Sequence, residues 1–267
     1  MSDADSLFGG SIPEIYDAYL GPMLFEPFAR ELAKRVSGSS GVLLELGAGT
    51  GRLTRALADA APHARIVATD LNRPMLDRAA RVVASRRVEW WQADAQTLPF
   101  ADGGFDAVLS QFTVMFFPDK PAAFAEARRV LRPGGRFVFN VWEDLGANDL
   151  QAIAHQVVGA CFPDDPPKFL ARTPFGYHDR EVIRSALAGA GFKSIDFETV
   201  RRETASPSAF DAAFGFCNGT PLRAEIEARD PARLASVTEA VAEAIRRRFG
   251  DGPVVGHGQA LAVDARR

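Results

Sequence analysis

Residues 42–51 read Val42-Leu43-Leu44-Glu45-Leu46-Gly47-Ala48-Gly49-Thr50-Gly51, and the fold turns on them. The first five form a short apolar run of the kind found in a strand covered on both faces. Three glycines in five positions follow, and residues 52–62 then carry helical spacing that stops at Pro62. A glycine-rich turn between strand and helix lets backbone approach a ligand where a Cβ would collide. The plainer alternative is a tight turn with no ligand. A phosphate-cradling Walker loop is excluded, because no Lys-Ser or Lys-Thr follows the glycines. The dinucleotide fingerprint fails too. Counting from Gly47, its sixth position is Arg52 instead of glycine. What remains is a Gly-x-Gly-x-Gly loop with an acid, Glu45, two positions ahead, suited to a ligand with a cationic amino-acid end and no pyrophosphate.

Outward from that loop, strands at 65–70, 88–94, 105–112 and 136–142 alternate with helices at 74–84 and 121–131. The spacing predicts βαβ units, a parallel sheet and right-handed crossovers. Arg132-Pro133-Gly134-Gly135 reads as the turn between the last helix and strand. Upstream, residues 12–36 have helical periodicity interrupted at Gly21-Pro22. Beyond Glu143 the rhythm changes. Helices are expected at 149–161, 178–192, 207–217 and 231–249, with His178 or Asp179 capping the second, and strands at 193–203 and in the tail. The Pro- and Phe-rich stretch 161–177 reads as irregular. The fold class expected is α/β: a doubly wound, mostly parallel sheet with a helical cap. The cap is expected from residues 1–40, 143–177 and 205–252, the core from 41–142, and the sheet is completed by 178–204 and 253–267. Insertions of this kind sit at the carboxyl edge of the sheet, where α/β proteins bind ligands.

The chain then resembles the class I methyltransferases that use S-adenosylmethionine, in the branch of small-molecule enzymes of ubiquinone and menaquinone biosynthesis. Residues 43–51 are similar to that family's first motif, and 98–112 and 124–142 to its fourth and fifth strands with the intervening helix. The resemblance covers about residues 41–142 strongly and the rest weakly. It implies a seven-stranded sheet and S-adenosylmethionine as cofactor, with S-adenosylhomocysteine as product. It implies cofactor contacts from Glu45, Gly47, Ala48, Gly49 and Gly51 in the loop, and from Asp70, on the ribose hydroxyls, with Leu71 and Met75 beyond it. Asp94 and Ala95 would meet the adenine, Gln111 follows the fourth strand, and Tyr16 is similar to an aromatic that closes over the methionine end. Each has a plainer reading: Asp70 and Asp94 as helix caps, Glu45 as a buried carboxylate paired with an arginine, Tyr16 as packing.

Methyl transfer needs alignment and exclusion of water, and a general base only where the acceptor keeps its proton. His155 and His178 border the expected acceptor pocket and are candidate bases, with a cap or a satisfied surface histidine as the alternative. Trp142, Phe175, Tyr177, Phe214 and Phe216, with Phe162 and Phe169, are candidates to line an apolar pocket, against core packing. The segment after the fourth strand holds a single acid, Asp119, so no metal is expected. Phe105-Asp106 reads as structural, and the arginines at 86–87, 128–129, 201–202 and 246–248 as solvated faces.

Lys plus Arg total 31 against 34 Asp plus Glu, a net charge of -3 that disfavours nucleic acid as partner. Cys161 and Cys217 are too few for a disulfide framework or a four-ligand zinc site. The acidic opening, Met1-Ser2-Asp3-Ala4-Asp5, lacks a secretory layout, and no apolar run is long enough to span a bilayer. The expectation is a cytoplasmic protein that is not membrane-embedded, of open oligomeric state. It would move a methyl group to an O, N or C atom of a small, apolar or aromatic metabolite. The alternatives are a sensor or inactive relative that only binds S-adenosylmethionine, and an NAD-dependent oxidoreductase.

Overall fold

The computed structural model describes residues 12–267; the first eleven positions of the expected cap segment 1–40 lie outside the described residues. Seven strands form one sheet: β1 (Val42–Leu46), β2 (Arg65–Asp70), β3 (Val88–Gln92), β4 (Phe105–Gln111), β5 (Leu131–Trp142), β6 (Ser194–Ser206) and β7 (Val254–Arg266). Their order is β3-β2-β1-β4-β5-β7-β6. β1 is parallel to β2 and β4, β2 to β3, and β4 to β5. The last strand runs the other way. Arg267 donates to Gly135 and Glu143 to Gln259, so residue numbers rise on β5 as they fall on β7. The order reverses at β1/β4, the switch point where open α/β sheets bind ligands.

The helices are α1 (Ile12–Ile15), α2 (Glu26–Lys34), α3 (Arg52–Ala60), α4 (Arg73–Val82), α5 (Lys120–Val130), α6 (Asp149–Cys161), α7 (Phe169–Arg172), α8 (Arg180–Gly189), α9 (Ala209–Asn218), α10 (Leu222–Arg229) and α11 (Leu234–Phe249). By internal contacts the chain groups into two compact units. One is Phe28–Val141 with Tyr177–Val200 and Ala260–Arg267; the other holds the chain up to Pro27, Trp142–Gly176 and Arg201–Gln259. Residues 28–36, expected with the cap, belong to the core unit. Ala29, Leu32, Ala33 and Val36 join Leu43, Leu57, Ile66 and Val138 in one buried cluster, and removing that apolar face from water outweighs the sequence break at 38–41.

Four local expectations change. Gly21-Pro22 does not interrupt the N-terminal helix, because Tyr16–Phe25 widens into a π-helix and Glu26 N–H donates to the Gly21 carbonyl five residues back. The wider turn absorbs the proline's missing N–H and its ring. Residues 132–135 belong to β5, not to a turn. Phe105 pairs with Leu131 and Ala107 with Arg136, so two steps on β4 face five on β5 across a bulge. α7 has four residues and α10 eight, too few to show a period. One Glu225 oxygen on α10 accepts from Lys168 and Phe169 N–H at 2.8 and 3.1 Å, and Arg172 pairs with the other at 2.9 Å. A cap supplied from another helix leaves no local mark. Lastly, several arginines are clamps and not solvated faces. Arg87 donates to the carbonyls of Ala58, Ala61 and Ala64, closing the end of α3. Arg129 binds the Leu98 and Phe100 carbonyls with Asp102 and Glu126.

Asp106 is structural, as expected. Its carboxylate accepts from Val42 N–H at 2.6 Å and pairs with Arg132 at 2.5 Å, tying the start of β1 to β4 and β5. In the other unit α6, α9 and α11 bury Leu150, Ala154, Ala212, Ala213, Phe216, Val237, Val241 and Ile245. Asn218 donates to Thr238 at 3.2 Å within that interior.

Candidate cofactor and acceptor site

All three loop glycines have positive φ, 70° at Gly47, 55° at Gly49 and 85° at Gly51, where other residues are strained. Their surroundings differ. A Cβ on Gly47 would collide with the Thr113 side chain, and one on Gly51 would lie 2.9 Å from Val83 and 3.2 Å from Ala79 of α4. Gly49 has nothing within 4 Å of that position. Gly47 and Gly51 are therefore glycines for packing, whereas Gly49 opens onto free space that a side chain would fill.

Two carboxylates stand at this loop. Asp70, at the end of β2, accepts from Gly49 N–H and from Asn72 N–H, both at 2.8 Å, through different oxygens. Burial pushes its pKa up, and the Asn72 and Gly49 amides pull it back. Asp70 thus caps the turn before α4 and fixes the glycine loop together; one oxygen takes both Asn72 nitrogens, at 2.8 and 3.4 Å, and the other takes Gly49 N–H. Glu45 is 1% exposed, and the Thr54 hydroxyl donates to it at 2.6 Å, so its partner is a hydroxyl and not an arginine. Burial first, and the nearby Asp70 charge after it, push its pKa up to about 8. A cationic ligand group would offset both effects.

The segment after β4 closes the loop from the other side. Thr113 donates to the Gly47 carbonyl at 3.2 Å and to that of Gln111 at 2.9 Å, so Gln111 lies beside the glycines. Phe112 has φ 49°, the one positive value off glycine among the described residues. Its N–H is held by the backbone and side-chain oxygens of Asn140 at 3.1 and 3.0 Å, and the Asn140 side-chain nitrogen is buried without a partner. A strained backbone thus stands just past the carboxyl end of β4, beside a buried donor that is unmet. Thr54, Asn72, Phe112, Thr113 and Asn140 escaped the sequence reading. Their roles depend on a dihedral or on a partner far along the chain.

Leu71, beside Asp70, is 55% exposed, whereas Met75 is 4% exposed and packs within α4. Asp94 accepts from the backbone and side-chain nitrogens of Gln96 at 2.9 and 3.1 Å, so it caps a turn and not a helix; Ala95 stands within that turn. Tyr16 belongs to the other unit and stacks on Phe25 at 4.7 Å. There the row continues from Phe25 to Trp142 at 6.4 Å and from Trp142 to Phe175 at 5.8 Å. Phe214 packs on Tyr19 at 5.1 Å and on exposed Phe210 at 5.9 Å. Phe216 and Phe169, each 2% exposed, fill the interior, and Phe162 is buried beneath the Arg233 guanidinium. Tyr177 stands in the core unit under the Lys120 ammonium.

His155 is on α6 in one unit, where burial lowers its pKa; His178 precedes α8 in the core unit. Asp179, not His178, caps that helix, accepting from Glu181 and Val182 N–H. Cys217 is wholly buried and its thiol is pushed up to about 12 by that burial, outside the range of a nucleophile at neutral pH. Among the described residues no group of three or more His, Cys, Asp or Glu could hold a metal ion, and no helix is long and apolar enough to cross a membrane.

Comparison with known proteins agrees with this geometry. Residues 44–139 match the family described as "Methyltransferase domain". The malonyl-[acyl-carrier protein] O-methyltransferase of Geobacter sulfurreducens is 37% identical over 58% of this chain, and the match spans 56% of that protein's length. The ubiquinone/menaquinone biosynthesis C-methyltransferase of Desulfotalea psychrophila is 28% identical over 62% of this chain and 72% of its own. The nocamycin O-methyltransferase of Saccharothrix syringae is 31% identical over 90% of both chains. Among solved structures, Haemonchus contortus phosphoethanolamine N-methyltransferase 2 with S-adenosyl-L-methionine shares the fold at a TM-score of 0.62. That match has 18% identity and covers 99% of this chain and 60% of that one.

Proposed function

The chain belongs to the class I S-adenosylmethionine-dependent methyltransferases, in the small-molecule branch with the ubiquinone and menaquinone enzymes, and from that premise we propose that it methylates an oxygen of a small, apolar or aromatic acceptor. The observation that carries the choice of oxygen is the length of the nocamycin O-methyltransferase match, which runs through the insertions as well as the core. The aromatic row Tyr16, Phe25, Trp142 and Phe175 supports an acceptor with an apolar or ring-bearing face.

The residues present fit the cofactor. Gly49 leaves open space where a Cβ would stand, and two buried carboxylates flank the loop. When bound, S-adenosylmethionine supplies a methyl group activated by a sulfonium charge. Gly47, Ala48, Gly49 and Gly51 would present backbone to it, Glu45 would face its ammonium end, and Asp70 would accept from vicinal hydroxyls. Leu71 offers an apolar surface beside them, Gln111 borders the same loop, and Ala95 is proposed with Asp94 for the adenine. Asp94 would serve the adenine amine only by sharing its oxygens with Gln96. Met75 acts by packing, and Tyr16 by covering the cofactor's methionine end. His155 and His178 are proposed as alternative bases for an acceptor that keeps its proton, and Tyr177, Phe214 and Trp142 as acceptor contacts.

Incubation with methyl-labelled S-adenosylmethionine and a panel of hydroxylated and carboxylated metabolites tests this. Label on oxygen is the expected result. Label on nitrogen or carbon overturns the choice of atom, and S-adenosylhomocysteine binding with no transfer to any acceptor favours the sensor reading instead.

A further inference from the structure

Lys120 is the first residue of α5, and Tyr177 lies two positions before the cap of α8. In a doubly wound sheet, helix starts of this kind stand at the carboxyl edge. The segment leading to Lys120 touches the glycine loop at one end and the turn after β3 at the other. Thr113 bonds to the Gly47 carbonyl, and Asp119 N–H donates to Gln96 at 2.9 Å, the residue that holds Asp94. Within it the Lys120 ammonium is half-buried, donates to the Phe117 carbonyl at 3.0 Å, and lies 4.8 Å from the centre of the Tyr177 ring. Among the described residues no carboxylate pairs with it. Burial lowers its pKa. The Tyr177 hydroxyl is buried with no hydrogen-bond partner, and burial pushes it up to about 12, which keeps it a donor at neutral pH.

A ring alone would serve the cation–π contact, so phenylalanine would suffice if packing were the whole role. The Tyr177 hydroxyl is without a partner and its ring lies under a cation that no carboxylate pairs with among the described residues, so one group could satisfy both. A group that accepts from an ammonium and a phenol together is an oxygen anion. We propose that Lys120 and Tyr177 form a subsite that binds an anionic oxygen group of the acceptor, a carboxylate or an acidic hydroxyl. This rests on the methyl-transfer reading above and narrows its acceptor to an acid.

The test uses the full chain saturated with S-adenosylhomocysteine and calorimetry on paired probes. Aromatic carboxylic acids are set against their carboxamides, and acidic enols and phenols against their methyl ethers. The wild type is expected to favour acids in one of the two arms, which identifies the group. Lys120→Met is expected to reduce acid affinity about tenfold and Tyr177→Phe about threefold, neutral partners changing less than twofold. S-adenosylhomocysteine affinity in both variants should match wild type and reports that they fold. No acid preference in the wild type, or acid affinity unchanged in Lys120→Met, overturns the proposal. Failure of the wild type to bind S-adenosylhomocysteine would instead overturn the methyl-transfer reading on which it rests.

Discussion

At the scale of single residues, Asp70 and Glu45 carry different burdens although both are buried acids. Asp70 bonds the Gly49 and Asn72 amides and the Asn72 side chain, and is proposed to accept from ribose hydroxyls as well. Asp70→Ala should therefore weaken S-adenosylhomocysteine binding by about 1–3 kcal/mol, the cost of an unmet partner; calorimetry showing unchanged affinity would refute the assignment. Glu45 is a proton-linked group. With its pKa raised to about 8 by burial, the folded state holds a proton that the unfolded state has lost. Its contribution to stability is complete below the ordinary carboxylate range and falls as pH rises toward 8, by up to about 1.4 kcal/mol per pH unit. Melting curves from pH 5 to 8 should show this decline, and Glu45→Gln, which keeps an acceptor for Thr54, should flatten it. Equal slopes in the two proteins would contradict the burial argument.

At the scale of elements, the glycine loop separates fold from function within five positions. Gly47→Ala meets the Thr113 side chain and a φ of 70°, so it should cost stability, more than the ~1–2 kcal/mol of the left-handed backbone alone. Gly49→Ala meets only the backbone cost, because its Cβ enters open space, and that space is the one proposed for the cofactor. Its loss in S-adenosylhomocysteine affinity should exceed its loss in melting temperature; the reverse ranking of the two variants would show that the loop is merely a turn. Farther off, Arg87 holds three carbonyls where α3 ends, and Arg87→Ala should destabilise by about 1.5–3 kcal/mol, the range for hydrogen bonds to a charged group. Denaturant midpoints would measure it, and a change within error would return Arg87 to the solvated surface.

At the scale of the whole molecule, the family's activity rests on a ligand that binds the folded chain. S-adenosylhomocysteine at about 100 times its dissociation constant should raise stability by about 2.7 kcal/mol and the melting temperature by several degrees, whereas NAD should leave both unchanged. Stabilisation by NAD alone would revive the oxidoreductase reading. The alternation of strands and helices through residues 42–142 and the glycine turn after β1 were legible from sequence because each rests on local signals. These are apolar runs of strand length and glycines where backbone must turn. The bend that keeps Pro22 inside a helix, the bulge at 132–135 and the Glu225 cap of α7 were not legible, since each depends on a partner or a hydrogen-bond register outside its own window. The acceptor side divides the same way. Sequence supplied the aromatics, but only the tertiary structure showed Trp142 and Phe175 stacked on one another and buried, as Phe216 and Phe169 are. It alone set Lys120 against Tyr177. Sequence by itself determined the fold class and the glycine turn, because backbone geometry and hydrophobic period are properties of neighbours in the chain, while the family came from the resemblance of its motifs. Which side chains share a site was decided by tertiary structure, because burial and unmet hydrogen bonds are properties of neighbours in space.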